Sequence, residues 1–195
     1  MNYKSLKLIL EEENLNITKN PNGTDKGDVH PYVDEVYEKE FIRFQDKDIT
    51  LVEIGIRGGS SIHLWKKYFK NAKKIYGLDN NETVNDHPVH YVNEEWVSGN
   101  NVKCIYGDAY TEEISNKIKE KIDIFIDDGP HTIDSHIKSI EFYLPKMNEN
   151  GLFIIEDILY DANQYLYDKI PENIRDLSKL YDFENVKMLV IDFSK

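Results

Sequence analysis

Apolar residues in this chain fall into short strand-like runs separated by stretches of helical spacing. Ile49 to Ile54, Lys74 to Leu78, Val102 to Tyr106, Ile122 to Ile126 and Gly151 to Ile155 are rich in β-branched and aromatic side chains, and each predicts a strand buried in a sheet. Between them lie helical patterns: Ile62, Trp65 and Phe69; Ile114 and Ile118; and Ile133, Ile137, Ile140 and Leu144, whose apolar face is stopped by Pro145. Upstream, Leu6, Ile9 and Leu10 predict a helix within residues 1–15, and Val33, Val36, Tyr37, Phe41 and Phe44 predict another. The intervening segment from Asn20 to Asp28 is dense in turn-forming residues. Asn80 to Asn101 is a polar loop with little periodicity, and Tyr160 to Leu177 reads as helical apart from a break near Pro171. The tail predicts a hairpin, with Lys179 to Phe183 and Met188 to Phe193 joined by a turn at Glu184-Asn185.

Strands alternating with helices and closing on a hairpin predict an α/β fold. The expected sheet is doubly wound, mainly parallel and seven-stranded, with an antiparallel C-terminal hairpin. One domain is expected over residues 1–195, with N-terminal helices and a lid in 1–45 and the α/β core in 49–195. The formal net charge of −12 argues against an extended surface for nucleic acid or anionic membrane, because such surfaces need clustered Lys and Arg. Cys104 stands alone, so it cannot form an internal disulfide, and it reads as a buried strand residue. No stretch has the pattern of a signal peptide or the length of a bilayer span, and the expected location is the cytoplasm.

The chemistry gathers where strands end. Ile122 to Ile126 runs into Asp127-Asp128-Gly129-Pro130-His131, and Gly151 to Ile155 runs into Glu156-Asp157. Open α/β sheets bind ligands at the carboxyl ends of their strands, so two neighbouring acidic ends would place several carboxylates around one point. Three further acids close strands one to three: Glu53, Asp79 and Asp108. The turn after the first strand, Gly55-Ile56-Arg57-Gly58-Gly59, has Arg57 where a dinucleotide fingerprint needs its second glycine, which disfavours a pyrophosphate. S-adenosylmethionine (SAM) carries no phosphate. Its positive methionine end suits Glu53, its ribose diol suits Asp79, and its adenine suits Asp108 and Ala109. Each acid taken singly could equally cap the helix that follows.

Glu53-Ile54-Gly55, Asp79, Gly107-Asp108, Asp127-Asp128-Gly129-Pro130-His131 and Ile155-Glu156-Asp157 resemble the class I SAM-dependent methyltransferases. More narrowly they resemble the metal-dependent sugar O-methyltransferases of macrolide tailoring, the mycinamicin and macrocin group. Thr24-Asp25-Lys26-Gly27, with His30, Tyr32 and Tyr37, resembles the lead-in segment of that group, and Pro130 stands where Ser is usual. The resemblance implies a Rossmann-like fold and a SAM site formed by Lys26, Tyr32, Glu53, Gly55, Asp79, Asp108, Ala109 and Asp127. Lys26 and Tyr32 would belong to a lid over the cofactor.

Mg²⁺ takes hard oxygen ligands, and Asp128, Glu156 and Asp157 are the expected set. A sugar hydroxyl is a poor nucleophile near neutral pH, so a general base is needed. His131 is the expected base, with metal-bound Asp128 as the second choice. The plain alternative for His131 is a helix N-terminal residue bonded to backbone. His136 reads as structural and facing away, while His63, His87 and His90 read as surface or loop residues. The expected function is a SAM- and Mg²⁺-dependent O-methyltransferase. Its acceptor would be a sugar hydroxyl in a nucleotide sugar or a glycoside, and homo-oligomerisation is left open. The alternatives are a catechol-like diol or other small-molecule acceptor, or a non-catalytic binding module. A nicotinamide oxidoreductase is disfavoured by Arg57 and by the terminal hairpin.

Overall fold

The computed structural model describes residues 4–80, 92–159 and 163–195. Seven strands form one sheet: β1 (Thr50–Ile54), β2 (Lys74–Asp79), β3 (Val102–Tyr106), β4 (Ile122–Asp127), β5 (Met147–Ile158), β6 (Ser178–Phe183) and β7 (Val186–Asp192). Their order is β3-β2-β1-β4-β5-β7-β6. The first five strands are mutually parallel, β7 runs antiparallel to β5, and β6 runs antiparallel to β7. This is the doubly wound sheet with a reversed terminal hairpin that the strand pattern predicts.

The central strands are mostly apolar because both faces are covered. Leu51, Ile124, Ile126, Leu152 and Ile154 enter one core with α1 (Leu6–Glu12), the Val33–Phe44 stretch and α3 (Ser60–Tyr68). Their strand neighbours Val52, Phe125, Phe153 and Ile155 enter the opposite core with α5 (Glu112–Ser115), α6 (Ile133–Tyr143) and α7 (Asn163–Lys169). Strand period two divides these residues between the two cores. From β1 the chain winds outward to β3 and then returns to lay β4 on the other side of β1. That reversal opens a crevice above the tips of β1 and β4.

The Val33–Phe44 stretch is helical but not uniform. A π turn (Val33–Tyr37) leads into α2 (Glu38–Phe41) and a 3₁₀ turn (Ile42–Phe44). Wide turns of this kind are concentrated at functional sites. Here the turn carries Tyr37, and Tyr32 directly precedes it; both are fully buried.

Several expectations need correction. The buried face of α6 is Ser135, His136, Ser139, Ile140 and Tyr143, while Ile133 at its start is 41% exposed. The helix is rotated from its most apolar orientation because Asp127, buried beside it, requires hydrogen-bond donors. His63 is not a surface residue: it is buried on α3 and pairs with Glu13 at 2.9 Å. Cys104 is half-buried, since β3 is an edge strand. Glu112–Ser115 is a single turn that ends before Ile118. Of the polar loop, residues 92–101 include a short helix, α4 (Glu94–Val97), whereas His87, His90 and, further on, Tyr160 lie outside the described residues. Among the described residues no helix is long and apolar enough to cross a membrane.

Arg43 ties the N-terminal layer to the last strand. Its guanidinium donates to both oxygens of the buried Asp192 (3.0 and 2.7 Å). Burial works against that carboxylate, but the Arg43 and Ser194 bonds outweigh it and hold its pKa below the usual range. Arg43→Ala is expected to cost about 2–3 kcal/mol near neutral pH. Because the folded pKa is lower than the unfolded one, this stabilisation is complete above about pH 4 and is lost as pH falls further. The gap between the urea midpoints of wild type and variant should therefore hold from pH 7 to about pH 4 and narrow as pH falls below that; a gap that stays constant on further acidification would refute the linkage.

Candidate active site

Register brings the chemistry together. Ile54 lies beside Asp127, and Asp127 beside Ile155, so the next residues, Gly55, Asp128 and Glu156, emerge side by side from three adjacent strands. Gly55 has φ +83°, and a Cβ there would stand 1.9 Å from the Asp128 carbonyl oxygen. Only glycine allows these two tips to approach so closely.

A lysine from the turn-rich segment fills the space between the acids. Lys26 is fully buried, and its Nζ donates to Asp128 Oδ2 (2.5 Å) and to both oxygens of Glu156 (2.9 Å each). Glu53 Oε1 lies 3.9 Å from the same ammonium, and Glu53 Oε2 accepts from Ser61 Oγ at 2.7 Å. Tyr37 donates its hydroxyl hydrogen to Glu156, and Tyr32 donates to Asp157. The segment expected to roof the cofactor thus sends three side chains into the carboxylate cluster.

The electrostatics follow from burial. Desolvation works against the Lys26 charge, but Asp128, Glu156 and Glu53 outweigh it and hold the ammonium well above the ordinary lysine range. Burial pushes Glu53 up to about 7 and Asp128 up to about 6, with Lys26 opposing both shifts. Glu156 is also raised by burial against the pull of Lys26. One ammonium faces three buried carboxyl groups, and their raised pKa values favour keeping protons among them.

The cluster also faces His131. Its Nε2 lies 3.8 Å from Asp128 Oδ1 and 3.6 Å from Asp157 Oδ2. Donor atoms of Asp128, His131 and Asp157 all fall within 4.8 Å of one another, a grouping that fits a metal ion. His131 (φ +55°) and Asp157 (φ +52°) both adopt left-handed backbone conformations to reach this spot. Glu156, expected as a third ligand, instead gives both oxygens to Lys26.

The remaining expected residues divide into two groups. Asp79 Oδ2 accepts from the backbone of Ile56 and Arg57 (3.1 and 3.0 Å) and so shapes the glycine turn, whose Gly59 has φ +91°. Asp108 is exposed and caps Tyr110 N, while buried Ala109 accepts from Tyr143 through its carbonyl. Asp127 is the clearest departure from its expected cofactor role. Fully buried, it accepts from Tyr110, Gly129 N, Ser139 and His136, which together satisfy both of its oxygens within the protein. His136 therefore faces Asp127 rather than away from the site. Sequence reasoning named Tyr37 only as part of the lead-in segment, without a role, and missed Tyr110 and Ser139. Their apolar or helical contexts gave no sign that a hydroxyl would be needed, although an acid ending a buried strand does call for donors nearby.

A family described as a methyltransferase domain matches residues 52–158. The 8-demethyl-8-alpha-L-rhamnosyl tetracenomycin-C 2'-O-methyltransferase of Streptomyces olivaceus is 31% identical over 158 residues, covering 75% of this chain and 39% of that protein. The mycinamicin VI 2''-O-methyltransferase of Micromonospora griseorubida is 29% identical over 133 residues, covering 63% and 30%. The chain thus spans well under half the length of these curated relatives. Among solved structures, the MycE methyltransferase of the mycinamycin biosynthetic pathway, in complex with Mg, SAH and mycinamycin VI, shares the fold. Its TM-score is 0.70 at 21% identity, covering 96% of this chain and 53% of that one. The O-methyltransferase NovP also shares it, with a TM-score of 0.60 at 12% identity, covering 79% of this chain and 75% of that one.

Lys26→Met is expected to destabilise the fold by about 3–5 kcal/mol, because it strands buried carboxylates without a counter-charge. Protonating those acids relieves the repulsion, so the deficit should grow from pH 5 to pH 8 in urea unfolding. A deficit independent of pH would show that the ammonium does not compensate them.

Proposed function

The chain belongs to the methyltransferase-domain family, and from that premise we propose that it is a SAM- and Mg²⁺-dependent O-methyltransferase acting on a sugar hydroxyl of a small-molecule glycoside. The observation that carries this reading is the convergence of Asp128, His131 and Asp157 at the crevice above adjacent strand tips. The acceptor named for the Streptomyces olivaceus relative is a rhamnosyl tetracenomycin, which supports a glycoside.

Hard carboxylate oxygens suit Mg²⁺ better than they suit softer metals. Asp128 and Asp157 would hold the ion, with Glu156 immediately behind them and locked to Lys26 and Tyr37. When bound, the metal supplies Lewis acidity that eases loss of the hydroxyl proton. His131 stands at the edge of the two carboxylates, where its Nε2 accepts that proton. SAM, when bound, would supply the methyl group to the acceptor oxygen at the expense of its own carbon–sulfur bond, so no side chain of the enzyme need be alkylated. On the other side of the crevice, Asp79, Asp108 and the turn beginning at Gly55 would hold SAM. Residues 24–37 would exclude water by closing over the acids.

His131→Ala is expected to lower kcat by about 10²–10⁴ while SAM affinity measured by calorimetry changes little. Chelation with EDTA should abolish turnover, and Mg²⁺ should restore it. Activity that is indifferent to chelation would rule out the metal, and a preference for catechols over glycosides in an acceptor panel would rule out the sugar.

A further inference from the structure

Two imidazoles flank the start of α6. His136, 1% exposed, turns Nδ1 to Asp127 Oδ2 at 3.3 Å. His131 turns Nε2 toward Asp128 and Asp157. One nitrogen remains on each ring, Nδ1 of His131 and Nε2 of His136, and both are buried without a hydrogen-bond partner. The ring centres are 6.4 Å apart and inclined at 45°. Buried polar atoms left over in this way call for an explanation.

The hydrogen placement can be worked out from the interior. Tyr110, Ser139 and Gly129 N donate to Asp127, and a carboxylate only accepts, so the hydrogen between Asp127 and His136 sits on His136 Nδ1. In a neutral ring this leaves His136 Nε2 as an acceptor. A neutral His131 able to take a proton at Nε2 must carry its own hydrogen at Nδ1, and so needs an acceptor there. The donor His131 must offer and the acceptor His136 presents are complementary, at a ring spacing that one water spans.

We propose that the Asp127–His136 pair is a positioning device for His131. Through a bridging water it fixes the hydrogen on His131 Nδ1 and leaves Nε2 bare toward the acceptor hydroxyl. The opposite tautomer would present an N–H where a lone pair is required. This role rests on the reading of His131 as the base. It gives His136 and Asp127 a function beyond satisfying each other.

His136→Asn tests it, because the shorter amide keeps an N–H for Asp127 but removes the distal acceptor. Thermal melting near the wild-type value would confirm that the interior bond is retained. The expected result is a kcat about ten- to a hundredfold lower with KM little changed. Nitrogen-15 NMR of the imidazoles should show His131 passing from a single Nδ1–H form to a mixture. Asp127→Asn is the second variant: its amide donates to His136, moves that ring's hydrogen to Nε2, and should likewise disturb the His131 tautomer. A His131 that keeps one Nδ1–H form in both variants, or a His136→Asn enzyme with wild-type kcat, overturns the proposal. The NMR readout needs no turnover. A tautomer that responds to both substitutions in a protein that transfers no methyl group would uphold the positioning and refute the proposed function instead.

Discussion

Like charges cannot be buried together without a compensating cation, and much of this structure answers that constraint. The sheet places Glu53, Asp128 and Glu156 at neighbouring strand tips, with Asp157 one residue further along. In water such carboxylates would repel weakly; at 0–1% exposure for Glu53 and Glu156, each needs a specific partner. Lys26 supplies charge, while Tyr32, Tyr37 and Ser61 supply hydrogen bonds. Three of these four partners come from residues 26–37, outside the sheet. The N-terminal segment is thus held against the core by the same acids that form the candidate site, so fold stability and site geometry share one set of contacts.

How much of this was legible in the sequence depends on what each signal measures. Hydrophobic runs report burial on both faces, and the strands of the sheet were therefore readable to within a few residues of their ends. Glu53, Asp128, Glu156 and Asp157 were readable as strand-end acids, because a charge that closes an apolar run must lie at its tip. Periodicity was right in part on α6, where Ile140 and Leu144 are buried and Ile137 packs against the same core, but Ile133 is exposed. Ile133, Ile137, Ile140 and Leu144 form the more apolar stripe, yet Ser135, His136 and Ser139 are buried. One fully buried carboxylate, Asp127, outweighed the partial exposure of Ile133, because an unsatisfied buried charge costs more than an exposed methyl group. His63 was misread for a similar reason: its partner Glu13 lies 50 residues away, and no local pattern reports such a contact. Lys26 in a turn-rich segment looked like a surface residue or part of a lid, and only tertiary structure reveals the acids around its ammonium.

The backbone shows where the remaining stress is stored. Outside glycine, left-handed conformations occur at Asn14, Arg57, His131 and Asp157 among the described residues, and the last three border the crevice. Each costs about 1–2 kcal/mol relative to a right-handed residue, so each must be held in place by its surroundings. Asp157 is held by Tyr32, and Arg57 by the Asp79 carboxylate on its amide. His131 has no comparable direct bond through its ring, whose Nε2 stands 3.6 Å or more from the two acids and whose Nδ1 is unpartnered. A strained residue without a direct anchor, between two acids on one side and a buried Asp–His pair on the other, depends on what those neighbours bind. This incomplete anchoring adds to the physical case for His131 as the reactive group, which rests on its convergence with Asp128 and Asp157. Asp127, by contrast, has both carboxylate oxygens bonded within the protein.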